Sequence, residues 1–310
     1  MLTGSAVGTR VHSYVQDFGS IEVYFCPGEE CESAFVSFLD TAQESIHCAL
    51  FEISLASVQD KLLEKNREID VRIVTDNNYL KKFNYSFVKA DFWGHMHNKF
   101  CIVDNQKIST SSMNPTNNGV NKNNNNLLII ESQILANNYE NEFQEMWEGN
   151  FKKGNPVPTA EFLLNNISIK NYFCPDDFCA DKVKQELKQA KESIHFMTFS
   201  FTNKGIANIL LLKHLDGIPI KGVMEARQVS KYSQFTRLEY QGIDVIKDKN
   251  KQNMHHKVFI IDQETVITGS MNPTNAGNSK NDENILIIKD KGIAKQFMEE
   301  FDKVYTEAKG

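Results

Sequence analysis

Residues Met254 to Ile288 read MHHKVFIIDQETVITGSMNPTNAGNSKNDENILII, and residues Met96 to Ile130 read MHNKFCIVDNQKISTSSMNPTNNGVNKNNNNLLII, the same phrase 158 residues earlier. Working outward, YFCPGEEC at Tyr24 recurs as YFCPDDFC at Tyr172, and ESIHCALFEIS at Glu44 recurs as ESIHFMTFSFT at Glu192, both 148 residues on. Self-similarity in a preserved order means one structural unit used twice. The offset grows between Asp76 and His97 in the first copy (21 residues) and Glu225 and His255 in the second (30 residues), so the second copy carries nine extra residues just before its histidine motif.

Each copy has the same rhythm. Short β-rich runs (IEVYF, IHCALFEI, VRIVT, KFCIVD, LLIIE) alternate with segments of helical period such as SAFVSFLDTAQ and ILANNYENEFQEMW. That alternation predicts an α/β fold of two duplicated domains, each a mixed β-sheet flanked by helices. Residues 149–158 are polar and rich in Gly and Pro, as a linker is, which puts the boundary at Pro158: repeat 1 over residues 1–158 and repeat 2 over 159–310.

In the first copy His97 and Lys99 alternate on an expected strand, so both point to one face, and Asp104 ends the strand; His255, Lys257 and Asp262 repeat this. A lone histidine on a strand is usually structural. Two at identical internal spacing, each followed by a lysine on an otherwise apolar face, incur a desolvation cost that structure alone does not require.

The pattern H-x-K-x4-D, followed by Asn114 or Asn272 and a later acidic or amide position, resembles the phospholipase D superfamily, over a span from about Ile21 to the C-terminus. Its wording is similar to the small nuclease-type members, which are usually dimers with one motif per chain. The resemblance implies pseudo-two-fold symmetry, with both motifs building one site, and here an intramolecular version expected to be a monomer. It implies a metal-independent phosphodiesterase: one neutral imidazole attacks phosphorus to form a phosphohistidine, and the other, protonated, serves the leaving oxygen and then activates water. Lys99, Lys257, Asn114 and Asn272 would surround the phosphoryl oxygens, with Ser112 and Ser270 supporting them. No carboxylate cluster or His/Asp grouping has metal-ligand spacing, so no metal or other cofactor is expected.

Two exchanges separate the copies. Glu283 stands where the first copy has Asn125, each 28 residues beyond its histidine, and Gly269 stands where the first copy has Ser111. A carboxylate partner favours the imidazolium more than an amide does. The resemblance implies that the acid at this place hydrogen-bonds its motif histidine, which makes His255 the expected general acid and His97 the expected nucleophile. The Ser111-for-Gly269 exchange predicts a changed turn after the strand.

Substrate is a separate question. A net charge of −6 excludes binding nucleic acid by bulk positive charge, so any polyanion is captured locally. Residues 221–257 hold eight Lys/Arg against four acids, with Tyr232, Phe235 and Tyr240 interleaved. This suits phosphate contacts and base stacking on a single strand, with Lys231, Tyr232 and Arg237, and Trp93 before the first motif, as candidate contacts. The plain alternative is an amphipathic helix with its aromatics in the core. A single-stranded nucleic acid is the leading substrate class and a phospholipid headgroup the alternative; an inactive, binding-only relative is a third reading. No apolar run has transmembrane length, and MLTGSAVGTR at the start lacks a signal-peptide pattern, so the chain as given reads as soluble, with a signal or anchor ahead of it and the localisation left open. Cys48 and Cys101 read as small buried hydrophobes. The C-x4-C pairs Cys26/Cys31 and Cys174/Cys179 are open between disulfide, free thiol and metal; disulfides would favour an oxidising, extracytoplasmic setting.

Overall fold

The computed structural model describes residues 15–92 and 94–310. The first copy forms a seven-stranded sheet in the order Ser20–Cys26, Asn125–Glu131, Lys107–Ser111, Lys99–Val103, Ser45–Leu50, Asp70–Asp76, Val88–Asp91. The second copy lays its strands in the same order: Ile167–Cys174, Asn281–Lys289, Thr265–Gly269, Lys257–Ile261, Ile194–Thr198, Ile220–Met224, Asp244–Lys247. Parallel and antiparallel pairings mix identically in both, as the duplication requires.

The apolar runs form strands buried on both faces; all five residues of Lys99–Val103 and of Lys257–Ile261 are buried. Outer helices cover one face of each sheet with a separate cluster, built around Phe35, Leu39 and Val58 in the first copy and Val183, Phe201 and Leu210 in the second. The inner faces share one cluster, to which helix Gln133–Trp147 gives Tyr139 and Phe143 and helix Lys291–Lys309 gives Phe297 and Phe301. Ser132 and Asp290 cap these helices by accepting from the Leu135 and Ile293 amides. Burying each such aromatic contributes about 2 kcal/mol, so the halves are joined by core as well as by chain.

Two strands of the first copy belong to the other sheet. Val15–Asp17 pairs with Glu161–Leu164, and His95–Met96 pairs with Asn281 and Asp282. A boundary at Pro158 therefore divides the chain but not the hydrogen bonding. Polar side chains cross in symmetric pairs: Thr110 Oγ1 donates to Asn284 Oδ1 (2.9 Å), and Asn126 Nδ2 donates to Thr268 Oγ1 (2.8 Å).

All six cysteines are disulfide-bonded: Cys26–Cys31, Cys174–Cys179 and Cys48–Cys101. The last pair is buried, as expected of small hydrophobes, but the two are bonded to each other, which that expectation did not include. Cys48 and Cys101 are 53 apart in sequence, and only the register of strands Ser45–Leu50 and Lys99–Val103 sets them opposite one another. Among the described residues no helix is long and apolar enough to cross a membrane.

Candidate active site

His97 lies between strands, not within one. After His95–Met96 its amide donates to Asp282 O of the second copy (3.0 Å), and the chain returns to its own sheet where Phe51 N donates to Asn98 O (3.0 Å). His255 mirrors this: Met254 bridges Asn124 of the first copy, and His255 N donates to Asn124 O (2.8 Å). Each histidine thus leaves its own sheet and leans on the other copy.

The side-chain partners cross as well. His97 Nδ1 meets Glu283 Oε2 at 2.8 Å, and His255 Nδ1 meets Asn125 Oδ1 at 2.9 Å. This corrects the pairing of Glu283 with His255 and removes the sequence argument that made His255 the acid: the carboxylate serves the histidine of the opposite repeat, because the switch of sheets brings that ring to it. Ser270 Oγ donates to Glu283 Oε2 (2.7 Å) and Ser112 Oγ to Asn125 Oδ1 (2.9 Å), so each partner is held by the serine of its own copy. Asn125 Nδ2 donates to Gly119 O, which leaves Oδ1 to accept from Ser112 and from His255 Nδ1–H. Each ring also meets the main chain of the opposite copy, His97 at Ser270 and His255 at Ser112, and among the described residues no side chain is bonded to either Nε2.

Lys99 and Lys257 are 1 % and 3 % exposed, and neither is ion-paired among the described residues. Lys99 Nζ donates to His97 O and lies 4.9 Å from the Phe51 ring centroid; Lys257 Nζ donates to His255 O (2.7 Å) and lies 5.2 Å from that of Phe199. The same phenylalanines sit edge-on to the histidines, Phe51 to His97 and Phe199 to His255. Burial pushes Lys99 down to about 7, and Lys257 is driven well down by burial and by Lys99. Burial and then the lysines hold both histidines well below the usual imidazole value, while burial lifts Glu283 to about 7. Every group here is pushed toward its neutral form, which is how a dry cluster of cations behaves before an anion enters.

The remaining expected residues fall in different places. Asp104 accepts from the amides of Gln43, Glu44 and Ser45, and Asp262 from those of Lys191, Glu192 and Ser193, so both tie turns and touch neither histidine. Asn114 and Asn272 follow the central strands, and each keeps a buried Oδ1 without a hydrogen-bond partner. Gly269 has φ +133°, and a Cβ there would lie 2.4 Å from Asn284 O, whereas Ser111 bonds Lys99 O and Met113 O; the two strands do end differently. Lys231, Tyr232 and Arg237 line a half-open pocket of about 940 Å³ with Lys204 and Asn208. Trp93 lies outside the described residues. The plain helix alternative holds in part: Phe235 is buried in helix Phe235–Tyr240, but Tyr232 and Tyr240 are 68 % and 86 % exposed.

Sequence reasoning passed over Phe51 and Phe199, although they stand 148 residues apart inside the quoted repeat. It also passed over Lys152, whose Nζ bonds Asp91 Oδ2 (2.8 Å) while its amide bonds Asp282 Oδ1; nothing in the linker signals that. Among the described residues no cluster of His, Cys, Asp and Glu is placed to hold a metal ion.

The family model for the cardiolipin synthase, PLD-like domain matches this chain twice, over residues 35–147 and 183–305. The chain belongs to the phospholipase D superfamily. Relatives in this superfamily include a phospholipase D of Rickettsia typhi, 30% identical over 137 residues that make up 44% of this chain and 67% of that protein. A mitochondrial cardiolipin hydrolase of Xenopus tropicalis is 30% identical over 156 residues, 49% of this chain and 73% of its own. Each match spans about one repeat. The solved structure of a Haemophilus influenzae phosphatidylserine synthase covers 91% of this chain and 86% of its own at a TM-score of 0.70 and 13% identity, which shows the fold across both repeats. This protein is therefore a superfamily phosphodiesterase with both motifs in one chain.

Proposed function

We propose that this phosphodiesterase is a nuclease for single-stranded nucleic acid, complete as a monomer, with His97 as nucleophile and His255 as general acid. The observation that carries the division of labour is the carboxylate on His97. With Nδ1–H given to Glu283, His97 Nε2 holds its lone pair toward the substrate, and the carboxylate stabilises the positive ring formed when Nε2 bonds phosphorus. As that bond forms, the bond from phosphorus to the leaving oxygen breaks, and His255 Nε2–H gives its proton to that oxygen. An amide partner leaves the imidazolium of His255 a stronger acid than a carboxylate would. A water then gives its proton to His255 and attacks phosphorus, and the P–N bond breaks to free His97. Lys99 and Lys257, with the side-chain amides of Asn114 and Asn272, neutralise the phosphoryl oxygens in both steps. The entering phosphate also supports the protonated form of His255 that burial and the lysines otherwise disfavour.

For substrate, the pocket holding Lys204, Lys231 and Arg237 beside exposed Tyr232 offers cations and a ring face, with no carboxylate and no aliphatic wall for an acyl chain. The names of the relatives favour a second reading, hydrolysis of a phospholipid diester. Both use the same histidines. Disulfide-bonded cysteines suit an oxidising compartment for either. The test is incubation in EDTA with end-labelled single-stranded DNA and RNA, and in parallel with cardiolipin vesicles, using His97→Ala as control. Oligonucleotide cleavage lost in the variant supports the nuclease; intact oligonucleotides with hydrolysed cardiolipin would replace it with the lipid reading.

A further inference from the structure

The nine additional residues of the second copy build a wall that the first copy lacks. The loop Ser230–Gln234 and helix Phe235–Tyr240 are pinned by Gln234, whose amide donates to Phe201 O (2.9 Å) and whose Nε2 donates to Thr202 O (3.3 Å). Thr202 and Asn203 in turn donate to Pro273 O (3.0 Å), one residue past Asn272. The pocket between these segments is therefore bounded by the chain that carries Phe199, three residues before Thr202, and Phe199 packs against His255 at 4.6 Å. Asn275, three residues past Asn272, lines it as well, so the pocket is bounded on two sides by chain leading from the second motif.

Its three cations are uncompensated. Arg237 bonds only amide oxygens, Asn208 Oδ1 (2.6 Å) and Gln234 Oε1 (3.3 Å); Lys231 Nζ sits 5.0 Å from the Tyr232 ring centroid; and none of Lys204, Lys231 and Arg237 is ion-paired among the described residues. The first copy is built otherwise at the matching place. Ala56 and Asp60 stand where the second copy has Lys204 and Asn208, and Glu52 is bonded to Lys82. At this place the second copy thus has cations unpaired among the described residues, whereas the first has Asp60 and a lysine paired with Glu52.

We propose that this pocket is a subsite for the nucleotide on the leaving-group side of the scissile bond, Lys204, Lys231 and Arg237 meeting its phosphate and Tyr232 its base. This rests on the nuclease reading and on His255 as the acid, since the group that His255 protonates departs on the side of Phe199. Bases stack on an exposed aromatic whatever their identity, and phosphate is held by charge and N–H donors, so such a subsite gives direction without sequence preference.

The test uses short single-stranded oligonucleotides cut at a central bond, in which the neighbouring phosphate on one side or the other is a neutral methylphosphonate. Product mass shows which fragment keeps the phosphate, and the other is the leaving group. In the wild-type protein a neutral phosphate on the leaving side lowers kcat/KM about tenfold, the size of one charge-assisted contact, and on the opposite side about twofold or less. In a Lys204→Gln, Lys231→Gln, Arg237→Gln variant the leaving-side penalty shrinks to about twofold. Because penalties are compared within each protein, a general loss of folded enzyme cancels. An unchanged penalty in the variant, or a penalty on the opposite side, overturns the subsite while leaving the nuclease intact. A wild-type protein that hydrolyses cardiolipin vesicles and cuts no oligonucleotide overturns both.

Discussion

Glu283 Oε2 lies 2.8 Å from Nδ1 of His97, across the boundary between the repeats, while the amide of Asn125 takes the matching place on His255. The residues before them, Asp282 and Asn124, meet the histidine amides through their main-chain oxygens alike. Two near-identical halves thus make a polarised site, with a carboxylate on one histidine and an amide on the other.

That polarity is testable by trapping the intermediate. His255→Ala, given a diester with a p-nitrophenolate leaving group that needs no acid, accumulates phosphohistidine on His97, found by mass spectrometry after a rapid quench that preserves the P–N bond. His97→Ala accumulates none. With a poor leaving group His255→Ala loses about 10²- to 10⁴-fold in kcat. Label recovered on His255 would reverse the roles.

Glu283→Gln keeps the hydrogen bond and removes the charge that stabilises the phosphorylated ring. The expected result is a fall of about 10²-fold in kcat with little change in KM. A change confined to KM would mean that Glu283 serves binding alone.

The same carboxylates set a pH dependence of stability. Burial raises Glu283 and Asp282 to about 7 in the folded protein, so the native state binds more protons than the unfolded chain between the ordinary carboxylate range and pH 7. Their favourable contribution is therefore complete at low pH and fades as pH rises toward 7, by on the order of 3 to 4 kcal/mol each. The lowered histidines and lysines beside them act in the opposite sense, so the Glu283 contribution is read as a difference: urea unfolding from pH 4.5 to 7.5 should show wild type losing stability relative to Glu283→Gln as pH rises. An identical slope in the variant contradicts the assignment.

Lys152 holds Asp91 of the first sheet and Asp282 of the second. Lys152→Met keeps the amide bond to Asp282 but leaves buried Asp91 without its ion-pair partner, and should lower stability by about 3 kcal/mol, whereas Lys152→Arg should recover part of it. Chemical denaturation measures both. Equal stability of Met and wild type would make the link incidental.

The motif aspartates belong to the fold. Asp104→Ala removes the acceptor for three turn amides and should cost about 1–3 kcal/mol, while the folded fraction keeps kcat within about threefold of wild type. A loss of kcat by orders of magnitude at unchanged stability would place Asp104 in the chemistry instead.

The sequence by itself carried the duplication, the α/β rhythm and the family, because a repeated phrase and a hydrophobic period are one-dimensional properties. It also supplied the chemically active types, His97, Lys99, His255 and Lys257, since two identical spacings of costly polar residues stand out in any linear reading. Tertiary structure decided which groups meet. Glu283 was legible as an exchange within NDEN against NNNN, but its partner was not, because the His95–Met96 strand leaves its own sheet to pair with Asn281 and Asp282. Cys48 met Cys101 through strand register, and Lys152 found Asp91 and Asp282 through the path of a linker. Such contacts depend on where the chain returns in space, and the spacing of residues along the chain holds no record of that.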